Sequence, residues 1–500
     1  MVRTSTFRIR ATLCVVFLFL EKNATNLQPM RLTIGKSIMA SGRYTIIKRK
    51  IFAAFMVFIL AASLYPRHVS FGKENGNFKV MGYFSESPAL MDSVDDAVQF
   101  DGMTHLIYAF LKPASDGSLY PIGKPERLKE LVDKSHAHGV KVVIAVGGVY
   151  YGKERLEGHF EALAGNDEAL GRFTREVRDF VEAYNLDGVE IDWEYPNAKS
   201  SDEFERVILA LKEVLSPMGK TLSAAVAAAV SANSKAEYIQ SVTDTALKNL
   251  DWLNIMAYDL KGGEHSPYWL ADVSIQYWKK RGVSADRIVV GIPLYARPSW
   301  KQYRHIVALD KANAYLDFVP GDKSDSYNGL NTIRQKTRLS LNKGGGIMFF
   351  DIQEDTRDET SALKAALDMI HRYELNKPDD YFIVVDNREL LYSPEEKLGM
   401  PYTDVQNRLQ IPVRKALETI GAKIEYEHAS RTVTAILEDT TVKIRIGSDI
   451  LEVDGNKVTM DTKAAIKDGL TYLPLRWVYE SFGYKVIWYE SSKSVLVSKN

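Results

Sequence analysis

The chain has 500 residues, more than one ordinary domain needs. Its 64 Lys and Arg balance 64 Asp and Glu, so charge gives no case for a nucleic-acid partner and none is expected. One cysteine, Cys14, and nine scattered histidines without His-Glu-x-x-His spacing exclude a disulfide framework and argue against a metal or other cofactor.

Residues 1–75 read as a leader. Within it IFAAFMVFILAASLY, at 51–65, follows Arg43, Lys48, Arg49 and Lys50, which is the order of a secretory signal. Ala61 and Ser63 offer small residues for cleavage. The run is short against the roughly 20 residues of a membrane span. Export is therefore expected, as a secreted or cell-surface protein, with an uncleaved anchor as the alternative. A start at Met39 gives the signal an ordinary length, and the functional start is expected there.

From residue 76 apolar runs alternate with helical patterns. The runs are 78–84, 104–110, 140–147, a fourth around 187–196, then 221–229, 252–258, 287–295 and 345–351. Runs of this length bounded by turn residues predict strands buried on both faces. Stretches 126–138, 166–184 and 202–215 carry apolar residues three and four apart and predict amphipathic helices. Eight such alternations predict a (β/α)₈ TIM barrel over 76–374. A doubly wound open sheet is the alternative, disfavoured because no Gly-x-Gly-x-x-Gly follows the first strand.

The fourth run, DGVEIDWEYP, is the most informative stretch. Strand periodicity puts Glu190, Asp192 and Glu194 on one face. Carboxylates crowded on a buried face repel, so at least one must hold its proton more tightly than usual, as a general acid does. The competing reading is a solvated edge strand with Val189, Ile191 and Trp193 buried. Further polar and aromatic residues fall at strand ends: Tyr83, Gly147 and Gly148, Tyr258 and Asp259, Tyr295, and Phe350. In a barrel these share the C-terminal rim, where active sites lie.

Residues 76–372 resemble the catalytic domain of glycoside hydrolase family 18, the chitinase family. DGVEIDWEYP is similar to the family's D-x-x-D-x-D-x-E signature followed by Tyr-Pro. Met256-Ala257-Tyr258-Asp259 resembles its M-x-Y-D, Tyr295-Ala296-Arg297 its Tyr-x-Arg, and Gly345-Gly346-Ile347-Met348 its G-G-x-M. The resemblance implies a retaining glycosidase whose substrate supplies the nucleophile. Glu194 would be the acid, Asp192 would orient the substrate acetamide, Tyr258 would bind its carbonyl, and Glu190 would share charge with Asp192. Tyr83, Phe110, Gly148, Met256, Asp259, Tyr295 and Phe350 would bind the sugar. The implied partner is a polysaccharide of N-acetylglucosamine, chitin first, with peptidoglycan or a non-catalytic chitin-binding barrel as alternatives.

Three positions depart from the family pattern. Glu190 stands where the family has Asp, Ala145 where it has a Ser hydroxyl facing the acids, and Phe350 where it has Trp. Activity with a shifted acid limb is expected. The interval 296–343 is too short for the family's inserted subdomain, so an open groove is expected. Tyr150, Trp269 and Trp300 are candidate sugar platforms, with core packing the competing role for each.

Residues 375–500 predict a smaller α+β accessory domain with an internal repeat. Segments 411–434 and 473–496 align at a constant offset, pairing Arg414 with Arg476, Gly421 with Gly483, Tyr426 with Trp488 and Val433 with Val495. Each unit reads as a helix, a glycine stop and a β-hairpin. The region resembles the N-terminal domain of copper amine oxidases. That implies cell-wall or surface attachment, or a plain spacer. The paired arginines, each placed just before its helix, are expected to act structurally. No His/Cys/Met cluster for copper is present.

Overall fold

The computed structural model describes residues 78–86, 93–375 and 381–499. The leader expectations at 1–75, with Cys14 and Met39, lie outside them. Among the described residues no helix is long and apolar enough to cross a membrane.

Eight parallel strands close a barrel. They are β1 Lys79–Ser85, β2 His105–Leu111, β3 Lys141–Gly148, β4 Gly188–Trp193, β5 Thr221–Ala227, β6 Trp252–Met256, β7 Ile288–Pro293 and β8 Gly346–Phe350. Strands pair in sequence order and β8 closes on β1. The open-sheet alternative is thereby excluded. Seven strands lie within two residues of their apolar runs, because strands buried on both faces carry little of the polar alternation that would blur their ends; β4, which carries the acids, stops three residues short of its run. Helices pack outside, among them α1 Pro125–Ala137, α2 Asp167–Ala183, α3 Ser201–Leu215, α4 Tyr268–Lys280, α5 Leu330–Lys343 and α6 Ala362–Leu375. Asn166 caps α2 by accepting from the Ala169 N–H at 3.0 Å, and Asp167 and Glu168 favour the positive end of its dipole.

Between β7 and β8 the chain forms a helix at Tyr303–Leu309, a short turn of helix at Lys311–Tyr315, a two-stranded hairpin and α5. That is a small elaboration rather than a full subdomain.

The C-terminal region is sheet-rich. After β9 (Phe382–Val385) come β10 Leu409–Pro412, α7 Val413–Thr419, β11 Lys423–Glu427 and β12 Thr432–Leu437. A meander of β13 Thr440–Arg445, β14 Ile450–Val453 and β15 Asn456–Thr459 follows. The second unit repeats the first as β16 Leu470–Pro474, α8 Leu475–Ser481, β17 Tyr484–Tyr489 and β18 Ser494–Lys499. Gly421 and Gly483 both have φ of +79°, the left-handed turn that ends each helix and for which glycine has no Cβ penalty. The units join through antiparallel β10 and β16 and a hydrogen bond from Tyr479 OH to Ala416 O at 2.9 Å. Arg414 and Arg476 lie within the first turn of α7 and α8 rather than before them. Arg476 reaches Glu480 and Val486 O, both at 3.1 Å.

This module is docked on the barrel. The buried α5 residues Gln335 and Arg338 donate to Ser494 Oγ (2.9 Å) and Ser492 O, and Asn342 donates to Ser491 O at 3.0 Å. Ser491 Oγ also donates to Asp272 of α4 at 2.9 Å. Arg372 of α6 pairs with Glu389. Met369, Phe382 and Val384 form a small apolar core with Leu341 and Leu496 at the same seam.

Candidate active site

Strand β4 sets the site. Its whole length is buried, with Glu190 at 0% and Asp192 at 3% exposure, so the solvated-edge reading fails. Val189, Ile191 and Trp193 point outward into the helical layer, where Trp193 stacks on Phe160 at 4.8 Å. Glu190 and Asp192 point into the barrel. Glu194 follows just past the strand end, where the interior opens to solvent. The first Asp of the motif, Asp187, stands at the other end. It accepts from Val142 N at 2.7 Å and touches His136 Nε2 at 2.8 Å, which ties β3, β4 and α1 together.

Glu190 lies between Ala145 on β3 and Ser223 on β5. Three donors surround it: Tyr83 OH, Ser223 Oγ at 2.9 Å, and Asn254 Nδ2. Asn254 also donates to Tyr83 OH at 3.2 Å. The hydroxyl expected to be missing because of Ala145 is thus supplied from the opposite neighbouring strand. Ser223 and Asn254 escaped the sequence reading. The available signal was a lone polar residue inside an otherwise apolar strand, which a barrel interior must satisfy. Burial raises the Glu190 carboxyl to about 7, against the downward pull of its three donors.

Asp192 is driven well above the carboxylate range by burial, then by the neighbouring Glu194 and Glu190. Its buried Oδ1 has no partner among the described residues. Burial also raises Glu194, helped by Asp259 and opposed by hydrogen bonding to Tyr195 and by Arg155. Arg155 donates to the Glu194 carbonyl at 3.0 Å. Crowded carboxyls that resist ionisation together can pass a proton among themselves.

Tyr258 is buried beside this group, and burial holds its phenol well above the usual range. The same holds for Tyr83. Both therefore stay protonated donors. Asp259 behaves oppositely. Burial works against its charge, but His265, Arg297 and the Tyr295 hydroxyl (3.0 Å) outweigh it and hold the carboxyl below its usual range. Phe350 closes the floor, 5.4 Å from Tyr83, 6.1 Å from Tyr258 and 6.4 Å from Tyr295 between ring centres. Phe110 and Met256, half-buried, pack on the same cluster. Gly148 faces the Phe110 ring, 3.3 Å from where a Cβ would stand. At Gly147 a Cβ would lie 2.0 Å from Asp192 O, so only glycine lets β3 pass β4 there.

Two exposed aromatics flank the opening. Trp300, 58% exposed, stacks on Tyr295 at 5.1 Å with the Arg297 guanidinium 4.0 Å from its ring centre. Tyr150, 51% exposed, lies 5.6 Å from the guanidinium of Arg155, the residue that binds the Glu194 carbonyl. Trp269 stands apart from them on the first turn of α4, where its neighbour Tyr268 packs on Tyr489 of the C-terminal module.

Glu190 carries a stability prediction. Its carboxyl binds a proton up to about 7 when folded, against 4.5 as an isolated group. The folded chain holds the extra proton across that window. This contribution is full below pH 4.5 and is lost as pH rises through 7, by an amount on the order of 3 kcal/mol. Denaturant unfolding of Glu190→Gln is expected to give a flatter stability profile between those pH values than the parent. Parallel profiles would assign the slope to other groups.

Comparison with known proteins agrees with this fold. The family model described as "Glycosyl hydrolases family 18" matches residues 79–355, and that of the "Copper amine oxidase N-terminal domain" matches 393–497. Among the described residues no three His, Cys, Asp or Glu side chains are gathered as a metal ion would require, so the copper of the second name finds no fitting donor set. "Probable chitinase 2" of Drosophila melanogaster is 31% identical over 263 residues, 46% of this chain and 52% of that protein. The chain spans from 11% to 62% of the length of such curated relatives. A solved GH18 chitinase, ChiB of Flavobacterium johnsoniae, superposes with a TM-score of 0.51 at 25% identity, over 59% of this chain and 94% of that one. The fold is also that of a chitinase-like agglutinin from Robinia pseudoacacia, at a TM-score of 0.50 and 19% identity, over 58% of this chain and 99% of that one.

Proposed function

The chain belongs to glycosyl hydrolase family 18, and on that premise we propose that it is an exported glycosidase cleaving β-1,4 links in polymers of N-acetylglucosamine, chitin first. The observation that carries this reading is Asp192. It is buried between two further carboxyls, keeps an oxygen without a partner among the described residues, and lies beside a neutral phenol donor.

Glu194 protonates the glycosidic oxygen as the bond to the leaving sugar breaks. The acetamide carbonyl of the retained sugar attacks its own anomeric carbon and closes an oxazolinium ring. Asp192, its proton passed to the adjoining Glu190, accepts the acetamide N–H and offsets the positive charge, while Tyr258 holds the carbonyl oxygen. Glu194, now ionised, takes a proton from the incoming water, which reopens the ring with retained configuration. Glu190, held by Tyr83, Ser223 and Asn254, keeps a fixed charge-sharing partner behind Asp192. Phe350 supplies the floor on which the sugar face rests.

The test compares defined chitooligosaccharides, purified peptidoglycan and a glucan without N-acetyl groups. Cleavage of the first and none of the glucan is the expected result, because the glucan lacks the nucleophile. Preference for peptidoglycan would move the assignment to a wall N-acetylglucosaminidase. Binding without cleavage of either N-acetylated polymer would place the chain with non-catalytic barrels.

A further inference from the structure

The C-terminal module contains a groove of about 660 Å³ formed by α8, the β17–β18 hairpin, Leu409 of β10 and Tyr381. Two half-buried indoles line it, Trp477 from the helix and Trp488 from the hairpin. Each is fixed by its own N–H. Trp477 donates to Asp461 at 2.8 Å and Trp488 to Glu490 at 2.7 Å. Tyr381 leans on Trp488 with ring centres 6.2 Å apart. Pro474, Leu475, Val486 and Val495 add apolar surface.

The duplication shows that the fold does not require these indoles. At the offset that pairs Arg414 with Arg476, the first unit has Lys415 opposite Trp477 and Tyr426 opposite Trp488. It nevertheless builds the same strand, helix and hairpin. Two of the chain's seven tryptophans are thus placed in one copy only, on the wall of one groove.

The charges around them cancel. Arg408, Arg476 and Lys493 face Asp461, Glu480 and Glu490, with Arg408 paired to Asp461 and Arg476 to Glu480. Such a rim offers donors and acceptors in equal measure and no net field. It suits hydroxyl and acetamide groups and gives a polyanion no advantage. Held aromatic faces beside such groups match a sugar ring, apolar across its C–H face and polar at its edge.

We propose that this groove binds a neutral glycan strand through Trp477 and Trp488, as a second carbohydrate site separate from the barrel. That the strand is the N-acetylglucosamine polymer rests on the function proposed above. The site is held in place relative to the barrel, since Tyr489 and Ser491, beside Trp488 and Glu490, contact Tyr268 and Asp272 of α4.

The test uses the full chain and insoluble chitin. Trp477→Lys and Trp488→Tyr install the residues that the first unit carries at the same positions of the same fold, which guards against misfolding, and melting curves check this. Trp477→Lys is expected to lower retention on the polymer about fivefold or more, as loss of an aromatic anchor does, Trp488→Tyr less because a smaller ring remains, and the double variant the most. Turnover of a short soluble chitooligosaccharide should stay within about twofold, because the barrel is untouched. Unchanged retention in the double variant overturns the proposal. So does release of the parent by polyphosphate at constant ionic strength, which would mean a polyanion site. Retention that depends on both indoles, in a chain that hydrolyses nothing, would uphold this site while sinking the enzymatic reading.

Discussion

Replacing Glu194 with Gln is expected to lower kcat on a chitooligosaccharide by about a thousandfold, the middle of the range for a lost general acid, with KM little changed. Gln keeps the size of the side chain and cannot give up an acidic proton. The position supports this role. Glu194 stands at the lip of the buried carboxyls, its own burial and then Asp259 raise its affinity for the proton, and Arg155 holds its backbone carbonyl at 3.0 Å. A leaving group such as a nitrophenol departs without protonation, so the variant should lose much less on an aryl glycoside. An equal loss on both substrates would point to a structural defect, and no loss would remove Glu194 from the mechanism.

The second large effect is expected at Asp192. Asn keeps the shape and loses the charge, so the oxazolinium no longer faces an anion. A fall of about 10² to 10³ in kcat is expected, the usual scale for one preorganised electrostatic contact. The pH profile should change as well. Repulsion from Glu194 helps to raise Asp192, and because the interaction of such a pair is reciprocal, removing the charge at 192 is expected to lower the proton affinity of Glu194. The basic limb of kcat/KM should therefore move to lower pH. A profile that falls in height without moving would mean that the two carboxyls do not share a titration.

The barrel was legible because most of its strands are apolar runs broken by at most a single polar residue, with turn residues at either end. The acid pair Asp192 and Glu194 was legible because acids two apart in such a run have no packing explanation. The support around Glu190 was not. Ser223 and Asn254 are single polar residues on strands five and six, and only barrel closure brings them to the same carboxylate. For that reason Ala145 read as a loss. The structure shows the polar partner shifted to the opposite neighbouring strand, with the longer Glu190 reaching it. The duplicated module was legible from its constant offset. Its docking was not, since Gln335 and Arg338 on α5 look like an ordinary solvated face until residues 491–494, far along the chain, are laid over them.

That seam bears on how the chain can be recombined. Accessory domains on flexible tethers can be exchanged between enzymes like interchangeable parts. Here α5 turns an amide and a guanidinium into a surface shaped for one neighbour, and both are buried under it. A graft of this barrel onto a different accessory domain would inherit buried donors with no acceptors, each costing about 1–3 kcal/mol or more. The two halves therefore make up one packed unit, and substitutions on α5 are constrained by a domain that takes no part in the chemistry proposed for the barrel.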